Sequence, residues 1–337
     1  AAVATASGMA AISTAVLTIL RSGDEILSSS SLFGGTYSLF HDTLANYGIL
    51  SRFVDPTDLA AFRAAVSPAT RLIFVETIGN PKMDVPDIAA LAAIAREGGI
   101  PLMLDATVST PYLARGRDLG ADLVIHSTSK YINGTGSTIG GAIIDNGTFD
   151  WKSPLYPHFE LYAKKYRQFA FTARLRKLMH KDLGACPAPM NSFLLTEGIE
   201  TLALRMDRHC TNALALARFL QTHPKVAWVN YPGLEDSSFH DVATRQFGNR
   251  YGGLLTFGLY SQVEAFRLIN ALKLARNLAN IGDAKTLVIH PASTICVDYP
   301  LEQRLLLGVS DELVRVSVGL EHEKDIIGDF SQALEAL

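Results

Sequence analysis

The sequence predicts an α/β protein, with a mostly parallel, doubly wound sheet followed by a smaller α/β C-terminal domain. Two observations carry that prediction. Short apolar runs alternate with helical patterns through the first half, and several runs are apolar at successive positions. Strands covered by helices on both faces have that character. Near residue 185 the pattern changes to one long amphipathic stretch and then shorter strands, which reads as a second domain with an antiparallel sheet. The expected division is 1–184 and 185–337.

In the first part, strands are predicted at 25–28, 49–54, 72–76, 102–105, 123–126 and 141–144, with helices at 7–20, 59–66 and 87–97. The last of these opens after Val85-Pro86 and closes at Gly98-Gly99, which are start and stop signals. In the second part, the stretch 189–220 is followed by strands at 227–230, 254–259, 287–289 and 314–318. Helices are expected at 262–272 and 322–336.

Composition narrows the function. The chain has 337 residues with 30 Lys and Arg against 33 Asp and Glu, a net charge of −3, so neither nucleic acid nor an anionic membrane surface is an expected partner. Cys186, Cys210 and Cys296 lie far apart without a C-x-x-C pair. That spacing argues against a disulfide framework or a zinc knuckle and fits a reducing, cytoplasmic compartment. The apolar first twenty residues lack a basic leader, and Thr5, Ser7, Ser13, Thr14 and Thr18 dilute them too far for a membrane span.

In open α/β sheets, ligands gather beyond the carboxyl ends of the strands, so the polar residues there are the candidates. They are Glu76-Thr77-Ile78-Gly79-Asn80-Pro81, Asp105-Ala106-Thr107 and His126-Ser127-Thr128-Ser129-Lys130. Ahead of the first helix, Ser7-Gly8-Met9 would present N–H groups to an anion. Singly, each has an ordinary explanation: a helix cap, a turn aspartate, a solvated loop lysine, a core phenylalanine. Jointly they suit one cofactor, pyridoxal 5′-phosphate. Its aldehyde needs an amine, which Lys130 supplies. Its ring nitrogen needs a buried carboxylate, which Asp105 supplies. Gly8, Met9, Ser127 and Ser129 can donate to the phosphate, and Phe33 offers a flat face to the ring. Ser127-x-x-Lys130 also matches a serine-nucleophile pattern, but its Ser-Asp-Asn and Lys-Thr-Gly companions are absent. No G-x-G-x-x-G follows the first predicted strand, which disfavours a nucleotide-binding protein.

These segments, with Leu32-Phe33-Gly34-Gly35-Thr36 and Leu313-Val314-Arg315-Val316-Ser317-Val318-Gly319, occur in an order that resembles the cystathionine γ-synthase-like pyridoxal-phosphate enzymes of Cys and Met metabolism. The resemblance covers essentially the whole chain. It implies the aspartate-aminotransferase-like fold (fold type I), Lys130 as the cofactor-bearing and proton-shuttling lysine, and Asp105 as partner of the ring nitrogen. It further implies Gly8, Met9, Thr107, Ser127 and Ser129 around the cofactor. Asn80 would touch cofactor and substrate, and Asn280 and Arg315 would hold the substrate. The bidentate guanidinium of Arg315 suits a carboxylate on chemical grounds as well.

Within the family, the run Asn280 to Thr294 is most similar to the O-acetylhomoserine sulfhydrylases, which implies γ-replacement of acetate by sulfide or methanethiol. O-Succinylhomoserine sulfhydrylases and the γ-lyases are the alternatives, the methionine γ-lyases weakened by Gly35 where they carry a cysteine. Phe33 replaces a tyrosine of many members, keeping the stacking face without the hydroxyl. The resemblance also implies a homotetramer built as a dimer of dimers, with small-molecule substrates. The family's N-terminal arm is expected to be missing ahead of Ala1. Working as a base requires Lys130 to lose its proton well below the ordinary lysine value of about 10.4.

Overall fold

The structure is a computed structural model describing residues 1–337. Seven strands, β1 (Ala2–Thr5), β2 (Glu25–Ser29), β3 (Leu50–Val54), β4 (Thr70–Glu76), β5 (Leu102–Asp105), β6 (Leu123–His126) and β7 (Gly141–Asp145), form one sheet in the order β1-β7-β6-β5-β4-β2-β3. The inner pairs β2–β3, β2–β4, β4–β5 and β5–β6 are parallel, while β7 runs antiparallel to both β6 and β1. Every residue of β2, β5 and β6 is buried, so these runs carry no polar alternation.

Local chemistry sets the flanking helices. Ser7 caps the Gly8–Ile19 helix, its hydroxyl accepting the Ala10 N–H at 3.0 Å. Asp87 caps the Ile88–Glu97 helix in the same way. That helix ends at Gly98, and Gly99 follows in the left-handed region at φ +63°.

The second sheet holds β8 (Trp228–Asn230), β9 (Leu254–Gly258), β10 (Arg276–Asn277), β11 (Leu287–Ile289) and β12 (Leu313–Ser317), in the order β10-β11-β12-β9-β8. It is antiparallel except where β10 pairs with β11. The helices Leu202–Gln221, Gln262–Ala271 and Glu323–Glu335 bury Met206, Leu216, Leu268 and Phe330 in one core with Phe257 of β9. The two halves are not independent: Ala292, Cys296, Leu307 and Val309 pack into the core that holds Tyr37, Phe40 and Phe74 of the first half.

Several elements differ from the sequence reading, among them the short helices Glu160–Tyr166, Ala170–Lys177 and Leu301–Leu306. β1 was unexpected, although Val3 and Thr5 are buried in strict alternation with exposed neighbours; four residues of small side chains merge there into the apolar run of the first helix. The stretch 189–220 is two helices, Pro189–Glu200 and Leu202–Gln221, joined at Thr201. At the break, the Gly198 carbonyl accepts from Arg205 Nη2 at 2.6 Å. The Pro189–Glu200 helix buries none of its residues, so it is not amphipathic toward this chain's core. The His240–Phe247 helix was also unexpected.

Asp329 of the last helix accepts three backbone N–H groups, from Lys273, Leu274 and Ala275, at 2.8–2.9 Å, and so holds the chain entering β10. Asp329→Ala leaves those donors without an acceptor and is expected to lower stability by about 2 kcal/mol in denaturant melts. A loss no larger than that of a surface substitution would show the bonds to be dispensable.

Candidate active site

The carboxyl ends of β4, β5 and β6 face a cavity of about 400 Å³ whose far wall comes from the second sheet. Every candidate residue lines it: Gly8, Met9, Phe33, Asn80, Asp105, Thr107, Ser127, Ser129, Lys130, Asn280 and Arg315.

Asp105 is the last residue of β5, in register with Glu76 on β4 and Ile125 on β6. Its Oδ1 accepts the Thr107 N–H at 2.9 Å. Burial pushes its carboxyl up to about 6, with the Thr107 bonds only partly offsetting the lost hydration. Thr107 also accepts the Ser127 N–H through Oγ1 at 2.8 Å, which joins the ends of β5 and β6. His126 lies against the carbonyl of Ala106 at 3.1 Å through Nδ1. A carbonyl only accepts, so Nδ1 carries the proton; burial pulls the imidazole down to about 4, which keeps it neutral.

Lys130 stands four residues beyond β6. Its Nζ donates to Asn280 Oδ1 at 2.6 Å. Burial, and then the nearby Arg315 guanidinium, hold its amine below the ordinary lysine value. The turn that carries it is gripped from behind by Arg205, which donates to the carbonyls of Tyr131 and Ile132. Arg315 is only 4% exposed in the middle of β12. It donates to Asn80 Oδ1 at 3.0 Å and to the Asn280 carbonyl at 3.4 Å. Burial brings it down to about 10, so it stays cationic at neutral pH. Its partners are amide oxygens and none is a carboxylate, which leaves a buried cation without a counter-ion.

At the other end of the cavity, the first turn of the Gly8–Ile19 helix points its N–H groups inward. A side chain at Gly8 would place its Cβ 2.6 Å from Ser127 Cβ, so only glycine lets the helix meet the turn after β6 this closely. Thr138 adds a buried hydroxyl without a partner in the same wall. Ser129 differs from expectation: its hydroxyl donates to the Gly140 carbonyl at 3.1 Å and accepts the Gly140 N–H at 3.0 Å. It braces the loop, and its proton is already engaged.

Phe33, a core residue if read in isolation, is 42% exposed and faces the cavity. The sequence reading assigned no role to Thr138 or Ile295, and it placed Glu76 among the strand-end candidates without a task; all three line the cavity. Thr138 and Ile295 sit in loops and carry no comparable signal.

A helix end, a buried carboxyl, an amine lowered from the ordinary lysine value and a buried guanidinium thus share one cavity, a set that suits vitamin B6 chemistry. Residues 1–335 match the family described as Cys/Met metabolism PLP-dependent enzyme, and the chain belongs to that family. It is 46% identical to the homocysteine synthase of Schizosaccharomyces pombe over 351 residues, covering 99% of this chain and 81% of that protein. The fold matches a structure from Campylobacter jejuni of a protein designated an O-acetylhomoserine (thiol)-lyase, which carries N′-pyridoxyl-lysine-5′-monophosphate. The TM-score is 0.95 at 35% identity, over 99% of this chain and 82% of that one. A structure of the O-acetylhomoserine sulfhydrylase of Wolinella succinogenes gives a TM-score of 0.87 at 42% identity, over 98% and 91% of the two chains.

Because burial keeps Asp105 protonated up to about pH 6, against 3.8 for an exposed group, its contribution to stability is complete below pH 3.8 and is lost as pH rises through 6. In the cofactor-free chain, Asp105→Asn is therefore expected to be near neutral at pH 4 and to stabilise by roughly 1–3 kcal/mol at pH 8. Paired denaturant melts decide; equal effects at both pH values would contradict the assignment of that cost to the ionised carboxyl.

Proposed function

We propose that this chain is an O-acetylhomoserine sulfhydrylase, replacing the acetate on Cγ of O-acetyl-L-homoserine by sulfide, or by methanethiol, to give homocysteine or methionine. The observation that carries this reading is the unpaired, buried Arg315 set across Asn280 from the half-buried Lys130 amine. An α-amino acid satisfies both, its carboxylate on the guanidinium and its α-carbon near the amine. The names of the relatives supply the leaving group and the nucleophile.

The residues present fit pyridoxal phosphate. Asp105 would balance its ring nitrogen, Phe33 would lie against its ring, and Lys130 would hold its aldehyde carbon. The first turn at Gly8 and Met9, with Ser127 and Thr138, would receive the phosphate, and Thr107 and Ser129 would keep those groups in place. When bound, the cofactor supplies a conjugated sink for the electron pair released at the substrate α-carbon. This chain's residues do the rest. Arg315 and Asn80 bind and orient the substrate carboxylate. Lys130, its amine lowered from the ordinary lysine value by burial and by Arg315, takes the α-proton and returns protons to neighbouring carbons. Asn280 accepts from that amine and limits its swing. The Cγ–O bond breaks with acetate leaving, and a Cγ–S bond forms with sulfide.

We read residues 1–184 as the cofactor-holding part and 185–337, which supplies Arg315 and Asn280, as the substrate part. A homotetramer in the cytoplasm is part of the same reading. It is supported by the three free cysteines and by the Pro189–Glu200 helix, whose Met190, Phe193 and Ile199 are more than half exposed. No helix is long and apolar enough to cross a membrane.

Purified enzyme given O-acetylhomoserine and sulfide is expected to release homocysteine and acetate. The O-succinyl ester with sulfide, and methionine or cystathionine alone, should react more slowly; faster turnover of any of them would overturn the assignment. Lys130→Ala should abolish the borohydride-sensitive near-visible band of the holoenzyme. Arg315→Ala should raise the amino-acid KM by about a hundredfold while leaving cofactor content unchanged, the loss expected for a buried ionic hydrogen bond. Loss of cofactor in that variant would show Arg315 to serve the cofactor.

A further inference from the structure

Glu76 ends β4 beside Asp105, is 6% exposed and lines the cavity, and the reaction just described leaves it without a task. Its surroundings are unfavourable for an ionised side chain. Burial and the neighbouring carboxyls of Asp105 and Asp84 raise its pKa well above the ordinary carboxylate range, and no cation stands among the groups that act on it. A buried acid with such neighbours costs stability unless a specific bond needs it. The bond present is to the main chain: Glu76 Oε1 accepts the Phe33 N–H at 2.7 Å.

Phe33 is where that bond matters. It stands immediately ahead of the short Gly34–Ser38 helix without a side-chain cap. Its ring is exposed toward the cavity and rests so closely over Gly35 that a Cβ there would lie 2.6 Å from Phe33 Cε1. On the far side, Tyr299 donates to the Gly34 carbonyl at 3.0 Å. The loop is thus fastened behind the ring by Tyr299, beneath it by Gly35, and at its own N–H by Glu76. Only the last of these fastenings comes from the sheet that also holds Asp105. It therefore sets the ring's position relative to Asp105, the carboxyl that would balance the cofactor's ring nitrogen.

We propose that Glu76 is a positioning residue of the cofactor site, acting through the main chain of Phe33 so that the aromatic face is presented over Asp105 and Lys130. The inference rests on the cofactor reading given above. Its contribution is reach: the side chain must span from the end of β4 to the Phe33 N–H. Glutamine keeps the reach and the acceptor while losing the charge. Aspartate keeps the charge and falls one methylene short.

The test is pyridoxal-phosphate titration of the full-length protein, read by the near-visible band and its induced circular dichroism. Glu76→Gln should bind the cofactor within about threefold of wild type with an unchanged induced signal. Glu76→Asp and Glu76→Ala should weaken it about tenfold and diminish the signal, the loss expected for a buried hydrogen bond that orients an aromatic contact. Phe33→Ala should weaken binding similarly, and Glu76→Ala combined with Phe33→Ala should be no weaker than Phe33→Ala alone. If Gln is as damaging as Ala, or if the two losses multiply, Glu76 does not act through Phe33 and the proposal is overturned. Should Glu76→Ala fail to fold, Glu76→Asp combined with Phe33→Ala closes the same cycle. A wild-type protein that shows no band at all would overturn the cofactor reading, a result distinct from either failure.

Discussion

Two buried ionisable groups, Asp105 and Arg315, line one cavity, each short of a partner, and the rest of the structure is arranged around that imbalance. Asp105 stands at the end of β5 with a single backbone donor, beside a second buried carboxyl. Arg315 stands in the middle of β12 with only amide oxygens. Removing an ion from water costs several kcal/mol even after local relaxation, and neither group recovers that cost within the chain. A ligand that is cationic at one end and anionic at the other relieves both at once. Functional sites commonly hold such unfavourable groups in place by the packing around them. Here β5 and β12 belong to different sheets, and the segment carrying Ala292, Cys296, Leu307 and Val309 locks them together through a shared core.

Lys130 takes its character from burial and from the neighbouring charge of Arg315. An exposed lysine is protonated at neutral pH and useless as a base. Desolvation and the guanidinium of Arg315 both favour the neutral amine, and the hydrogen bond to Asn280 costs nothing in that state, because an amine still donates. The single cation at 315 thus has two consequences: it favours an anion beside it, and it adds to the burial that lowers the neighbouring lysine. Arrival of the carboxylate weakens the second effect, so binding itself raises the basicity of the amine as the substrate comes into reach.

The sequence made much of this readable because strand-end residues are local information. A buried apolar run that stops at Asp105, or at His126 ahead of Ser127 to Lys130, marks a position at the sheet edge without reference to any other part of the chain. Arg315 needed the family resemblance, since an arginine within a strand is usually exposed. What stayed hidden depends on register. Glu76 acquires its meaning only when β4 pairs with β5 so that two carboxyls lie side by side. The split at Thr201 is accompanied by Arg205 reaching back to Gly198. The bracing role of Ser129 requires Gly140 to return from eleven residues away. Pairing and side-chain reach across the fold are properties that no residue pattern in a short window records.

The anionic end of the cavity shows how precision substitutes for charge. Lys130 and Arg315 are the basic side chains among its lining residues, and their hydrogen bonds run to Asn280 and Asn80. What remains is a helix N-terminus, equivalent to about half a positive charge, with hydroxyls such as that of Thr138. Such weak donors hold an anion only when they converge on one point. The missing Cβ at Gly8 permits that convergence, since the helix presses against Ser127 more closely than any side chain would allow. Ser127 is in turn fixed by Thr107, and Thr107 by Asp105. The carboxyl of Asp105 is therefore mechanically continuous with the Gly8 helix end, through three consecutive contacts that run by way of Thr107 and Ser127 along the edge of one sheet.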